Sequence, residues 1–191
     1  MTARALPRAA ASEAELMAAL ADGDLSALGE LYDRHGEAVR RFALRITGHL
    51  DQADDVTHDT FLALVDAAPR YEAPRPVRGF VIGIAGKLVL RARRRTAIGA
   101  RILAELRAAW GRDDARTPED VASADEQLAR YRRALQRMSH TKRVVVVMAD
   151  VEGLTGPEIA AALDIPIGTV WTRLHHARAE LRNALAKGGR A

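Results

Sequence analysis

Apolar residues recur at helical spacing along most of this chain, and the breaks between runs carry capping residues, glycine or proline. Ser12 followed by Glu15 is a capping-box pattern that predicts a short helix through Leu16, Met17 and Leu20, stopped at Asp22-Gly23. From Asp24 to Gly48 a longer helix is expected, with Leu28, Tyr32, His35, Val39, Phe42 and Ile46 along one face. His35 lies inside that stripe, so it reads as an interior or boundary histidine bonded to a neighbour. Asp51 and Asp54 open the next helix, where acids suit the positive N-terminal end. On it Ala53, Val56, Thr60, Phe61 and Leu64 face one way, while Asp55, His58, Asp59, Leu62 and Asp66 face the other. An acidic ridge thus carries an exposed leucine. It is either a solvated charged face or a docking surface for a basic partner, with Leu62 as the anchor.

The stretch from Pro69 to Pro76 has three prolines and is a semi-rigid loop containing Tyr71. After it, Val77 to Arg95 reads as a helix that is apolar on most sides, with Lys87, Arg91 and Arg94 at i, i+4 and i+7 beside Phe80 and Ile84. Aromatic surface next to cations suits single-stranded nucleic acid, because bases stack and phosphates are neutralised; a core helix with basic residues at its negative end fits the same pattern. An amphipathic piece follows, with Ile98, Ile102, Leu106 and Ala109. Then comes a segment after Trp110 almost free of large apolar residues, which is the expected linker. Leu128, Tyr131, Leu135 and Met138 define a further helix, Ser139 can cap another, and Val144 to Val147 read as helix despite their strand preference.

Thr155 to Asn183 predicts helix, tight turn, helix. Thr155 and Glu158 form a second capping box, Ile159 and Leu163 give the first helix one apolar face, and Pro166 suits the start of the second. On that second helix Val170, Leu174, Ala177 and Leu181 share a face, while Gly168, Thr172, His175, His176 and Ala179 lie roughly opposite. The outward face is polar, carries no acid and is flanked by Arg173, Arg178 and Arg182. A helical hairpin with a polar outside occurs in many bundles; it is also the geometry that places a recognition helix in the DNA major groove.

Composition narrows the classes. Over 191 residues, 48% are hydrophobic and only 4% aromatic, which favours an all-α protein of two small bundles. The net charge of +4 is compatible with a polyanionic partner. With no cysteine, disulfides, thiolate catalysis and Cys-ligated zinc are excluded. No phosphate-binding glycine loop, HExxH motif or nucleophile elbow occurs, so neither catalysis nor a metal or cofactor is expected. The first eleven residues form an unpatterned lead-in without the apolar core of a signal peptide, and no run is long enough to span a membrane. A cytoplasmic protein without stable membrane insertion is the expectation.

Two blocks in this order resemble the sigma-70 family of RNA polymerase sigma factors, specifically its minimal extracytoplasmic-function group. LYDRHGEAVRRFALRITG, DQADDVTHDTFLAL and VRGFVIGIAGKLVLRARRR are similar to region 2, and RMSHTKRVVVVMADVEGLTGPEIAAALDIPIGTVWTRLHHARAELR is similar to region 4. The resemblance implies a lead-in and short helix over 1–23, region 2 over 24–96, a linker over 97–126 and region 4 over 127–187. It implies docking of Asp55, His58, Asp59, Leu62 and Asp66 on the clamp helices of the largest polymerase subunit, with the polymerase flap as a further contact. Tyr71, Arg75, Arg78, Phe80, Lys87, Arg91 and Arg94 would meet the promoter minus-10 element. Gly168, Thr169, Trp171, Thr172, Arg173, His175, His176 and Arg178 would meet the minus-35 element. An anti-sigma partner is expected on the same ground, as is a role in a stress or envelope response. His58-Asp59, Val65, Phe80, Lys87 and Trp171 depart from the residues usual in the family, so the promoter sequence is not readable from relatives. The rival reading is a polymerase-independent helix-turn-helix regulator, which would bind a two-fold operator by itself.

Overall fold

The structure, a computed structural model, describes residues 11–107 and 126–187, with side chains given for 11–92, 128–186. The expected lead-in, Trp110 and most of the linker lie outside these residues. Among the described residues there are eight α-helices and no strand: α1 (Glu13–Ala21), α2 (Leu25–Thr47), α3 (Leu50–Ala67), α4 (Val77–Arg107), α5 (Glu126–Arg137), α6 (His140–Asp150), α7 (Gly156–Leu163) and α8 (Ile167–Lys187).

Local chemistry sets most boundaries. Both capping boxes form: the hydroxyl of Ser12 accepts from the Glu15 amide while Glu15 returns a bond to the Ser12 amide, and Thr155 and Glu158 repeat the arrangement on α7. Each such cap is worth about 1 kcal/mol to its helix. The Asp24 side chain caps α2, which ends at Gly48 with φ +80°, a conformation that would strain a residue bearing a Cβ. Ser139 is the N-cap residue of α6, yet its side chain makes no capping bond; its hydroxyl sits 3.4 Å from that of Thr141. Helix α3 starts at Leu50, one residue ahead of the expected Asp51. The four valines of α6 are all buried and helical, because packing outweighs their strand preference.

Helix α4 does not stop at Arg95. It runs on to Arg107 and takes in the first part of the stretch read as linker; no proline interrupts it there, and Thr96 and Gly99 do not stop it. Three side chains placed in apolar stripes face water: Tyr32, Leu128 and, in part, Leu28. Ala27 and Leu31 point inward in place of Leu28 and Tyr32, a register difference within the same turn, while Leu135 and Met138 of the later stripe are buried as expected. Pro166 precedes α8, and its carbonyl accepts the first bonds of that helix from Thr169 and Val170.

Helices α1 to α4 form one bundle and α5 to α8 the other, but their apolar interiors join. Buried residues from Leu16 to Leu181 make a single connected core. The join lies along α4, where Gly79, Gly83 and Gly86 fall at i, i+4 and i+7 and receive α6, α7 and the turn between them. A Cβ on Gly83 would stand 2.8 Å from the Ala162 Cβ, and one on Gly86 3.1 Å from both Leu163 and Met148. Only glycine permits so close a seating.

Candidate nucleic-acid and protein interfaces

Three surfaces collect the residues singled out from the sequence. On α3, Ala53, Val56, Thr60, Phe61 and Leu64 are buried, so Asp55, His58, Asp59, Leu62 and Asp66 all face solvent. Leu62 is 55% exposed. Beside it α2 contributes Leu28, Gly29 and Tyr32, which with His58, Phe61 and Leu62 line an apolar groove of about 240 Å³. Tyr32 and Phe61 meet with ring centroids 4.8 Å apart. Spacing within α3 alone could not reveal the half contributed by α2.

The second surface is the loop before α4 and the start of that helix. Tyr71 donates its hydroxyl to the carbonyl of Arg75, and its ring stands edge-on to Phe80 with centroids 5.5 Å apart. The Arg75 guanidinium lies 5.5 Å from the centre of the Phe80 ring, a cation–π distance. Partial burial raises the Tyr71 phenol above its ordinary value. Tyr71, Arg75 and Phe80 therefore form one cluster; Lys87 is half-buried further along and Arg91 exposed. Arg94 lies on α4 among residues whose side chains are not described. Arg78 is paired with Glu152 at 2.5 Å, a partner from the other bundle that sequence spacing did not suggest.

The third surface is the outer face of α8. Val170, Leu174, Ala177 and Leu181 are buried as expected, which leaves Gly168, Trp171, Thr172, His175, His176 and Arg178 exposed, with Thr169 and Arg173 half-buried. Asp164 ends α7 in the left-handed region with φ +55°, and the chain then turns into α8. Trp171 crosses back over the start of α7: a Cβ on Gly156 would come within 2.5 Å of its ring, so only glycine lets the indole lie there. Thr172 donates to the Gly168 carbonyl at 2.9 Å, so its oxygen remains an acceptor. The rings of His175 and His176 meet edge to face at 5.6 Å. Arg178 is held by Asp150 of α6 through a forked contact at 2.5 Å and 3.2 Å, and that hydrogen bonding strengthens its hold on its proton.

Among the described residues no cluster of three or more His, Asp or Glu side chains is arranged to hold a metal ion, and no helix is long and apolar enough to cross a membrane.

A helix-turn-helix with an open polar face is thus carried on the same chain as a helical bundle with an exposed acidic ridge. Residues 31–98 match the family model of sigma-70 region 2, and residues 128–181 that of sigma-70 region 4. The chain is 33% identical over 171 residues to the ECF RNA polymerase sigma factor SigE of Mycolicibacterium smegmatis, covering 87% of this chain and 66% of that longer protein. It is 32% identical over 172 residues to the RNA polymerase sigma factor CnrH of Cupriavidus metallidurans, covering 87% and 90% of the two chains. The solved structure of CnrH in complex with the cytosolic domain of CnrY superposes with a TM-score of 0.62 at 27% identity, over 92% of this chain and 97% of that one. The chain belongs to the sigma-70 family, in its extracytoplasmic-function group: DNA-binding sigma factors of transcription initiation.

Proposed function

We propose that the chain lends promoter specificity to core RNA polymerase through three separate surfaces and takes no part in the chemistry of RNA synthesis. The observation that carries this reading is the exposed acidic ridge of α3 with its apolar groove, because it offers a protein partner an apolar anchor site flanked by carboxylates on a face that would repel DNA. Leu62 and the groove would receive an apolar side chain from the polymerase clamp helices, while Asp55, Asp59 and Asp66 orient a basic partner and speed its encounter. Tyr71, Arg75, Arg78 and Phe80, with Lys87, Arg91 and Arg94 further along α4, would take single-stranded minus-10 bases and their phosphates. Thr172, His175 and His176 would face minus-35 base edges, with Gly168, Thr169, Trp171, Arg173 and Arg178 around them at the backbone.

The region assignments 24–96 and 127–187, with 97–126 between, go with this division of labour; part of 97–126 is the end of α4. An anti-sigma protein is a proposed partner, by analogy with CnrH, whose solved structure is with CnrY. A factor of this kind works where the polymerase is, in the cytoplasm, and the stress or envelope response is the proposed setting. Run-off transcription with purified core polymerase tests the whole: promoter-directed transcripts are expected only when the chain is added. A chain that protects a two-fold operator alone and leaves transcription by core polymerase unaltered would favour the regulator reading instead.

A further inference from the structure

The exposed surface of α8 is polar but for two large apolar residues near its start. Trp171 is 51% exposed, and Ile167, one turn earlier, is 44% exposed. Both lie on the flank they share with His175, at i, i+4 and i+8. The indole is seated rather than free to swing. Its benzene edge rests on the backbone of Gly156, where a Cβ would stand 2.5 Å from Cη2 and Cζ2 and 3.2 Å from Cε2. The capping box at the start of α7 holds that backbone in turn, with the Thr155 amide donating to the Glu158 carboxylate at 2.7 Å. Gly168, one turn before Thr172, adds no side chain to this end of the helix. A Cβ there would meet nothing within 4 Å, so an incoming surface can come close to the backbone beside the ring.

We infer that Trp171 is a specificity-determining residue for thymine: its seated indole covers a thymine 5-methyl group in the major groove of the upstream duplex, with Ile167 extending the apolar contact. This rests on the proposed entry of α8 into the minus-35 groove and adds a base chemistry to it. An indole has no charge with which to neutralise a phosphate, so Trp171 fits the DNA backbone less well than its neighbours Arg173 and Arg178 do, and it moves from the backbone contacts to the base contacts. Every group that a base pair shows in the major groove is a hydrogen-bond donor or acceptor, with one exception, the thymine methyl. Covering that methyl with an indole removes apolar surface from water on both sides. Covering a purine N7 or a cytosine amino group with the same ring would strip water from a polar atom and return no bond. Thr172, His175 and His176 bring polar atoms for the donor and acceptor positions, and Trp171 brings the large apolar one. Its seat on Gly156 matters for strength as well as direction, because a ring already held in place loses little freedom on docking.

The test starts from holoenzyme, the full chain with core polymerase, which selects a duplex from a library randomised over the upstream element. Each thymine of that element, on either strand, is then replaced in turn by uracil, which takes away the methyl and leaves the pairing groups in place. Wild-type holoenzyme should lose about fourfold in affinity at one or more of these thymines, the worth of burying a single methyl group. Trp171→Ala should weaken binding to the thymine duplex by a similar factor and should bind the thymine and uracil duplexes alike. Trp171→Phe, which keeps a smaller apolar ring, should give a ratio between the two. Because each ratio compares two duplexes on one protein, a change in the folded fraction of a variant cancels from it. An element in which no uracil replacement changes affinity, or a thymine-to-uracil ratio that survives Trp171→Ala, as an indole lying on deoxyribose would leave it, would overturn the inference. A wild-type holoenzyme that selects no upstream element at all would instead strike the entry of α8 into the groove.

Discussion

Helices α4 and α8 are both proposed to read DNA, yet they meet solvent differently. The outer face of α8 is open, with Thr172, His175 and His176 exposed and Trp171 51% exposed. On α4 the face of Gly79, Gly83 and Gly86 lies against the other bundle and Arg78 is already paired with Glu152, while Phe80 and Lys87 are half-buried and Arg91 is exposed. Periodicity identifies which residues leave a helix together; it does not say whether water or another part of the chain awaits them. One proposed reading head therefore stands open, while the other shares its helix with the contact between the bundles.

The most damaging way to break the contrast is to attack the support of the open face. Leu174→Ala, beneath Thr172 and His175, should cost about 2–5 kcal/mol in a denaturant melt and abolish minus-35 duplex binding. Next comes the contact between the two bundles. Arg143→Met should cost about 3 kcal/mol, because the carbonyls of Ile46, Gln136 and Met138 lose a buried donor; a melt unchanged from wild type would show that water replaces it. The α3 ridge lies outside the contact between the bundles, so Asp55→Arg with Asp59→Arg should weaken core-polymerase binding roughly tenfold in a pull-down while the melt stays put. Unaltered affinity would remove the docking assignment. On the open face itself, Thr172→Ala or His176→Ala should leave stability within about 0.5 kcal/mol and reduce minus-35 discrimination by about 1 kcal/mol, near fivefold in competition binding.

The smallest expected effect concerns pH. Burial beneath α1 lowers the pKa of His35 from the usual value near 6.5, and Glu13, with Oε1 3.1 Å from Nε2, only partly offsets this. A folded value below the unfolded one means that the unfolded chain takes up the proton first. Stability is therefore full above about pH 6.5 and declines as pH falls toward the lowered folded value. His35→Phe should flatten that part of the stability–pH curve; an identical slope would place its origin elsewhere.

Most of the helices were legible in the sequence because their causes are local. The capping boxes at Ser12 and Thr155, the turn glycine at 48 and the buried faces of α3 and α8 follow from spacing and side-chain type alone. The acidic ridge was legible too, but the groove beside it was not, since Leu28 and Tyr32 come from another helix and had been read as core. The contact between the two bundles escaped for a similar reason. Glu152 and Arg143 look like ordinary surface charges until the partner bundle is placed. One signal was available: Gly79, Gly83 and Gly86 weaken a helix by about 1 kcal/mol each relative to alanine, and their shared face calls for close packing in return.

The placement of Trp171 has an optical consequence. The chain has two tryptophans, and this one sits half in water on the face proposed to enter the groove, braced against Gly156. With Trp110→Phe as background, its emission becomes a label-free signal from the upstream head alone. Docking on duplex should shift or quench that emission. Upstream docking can then be timed by itself, without attaching a dye.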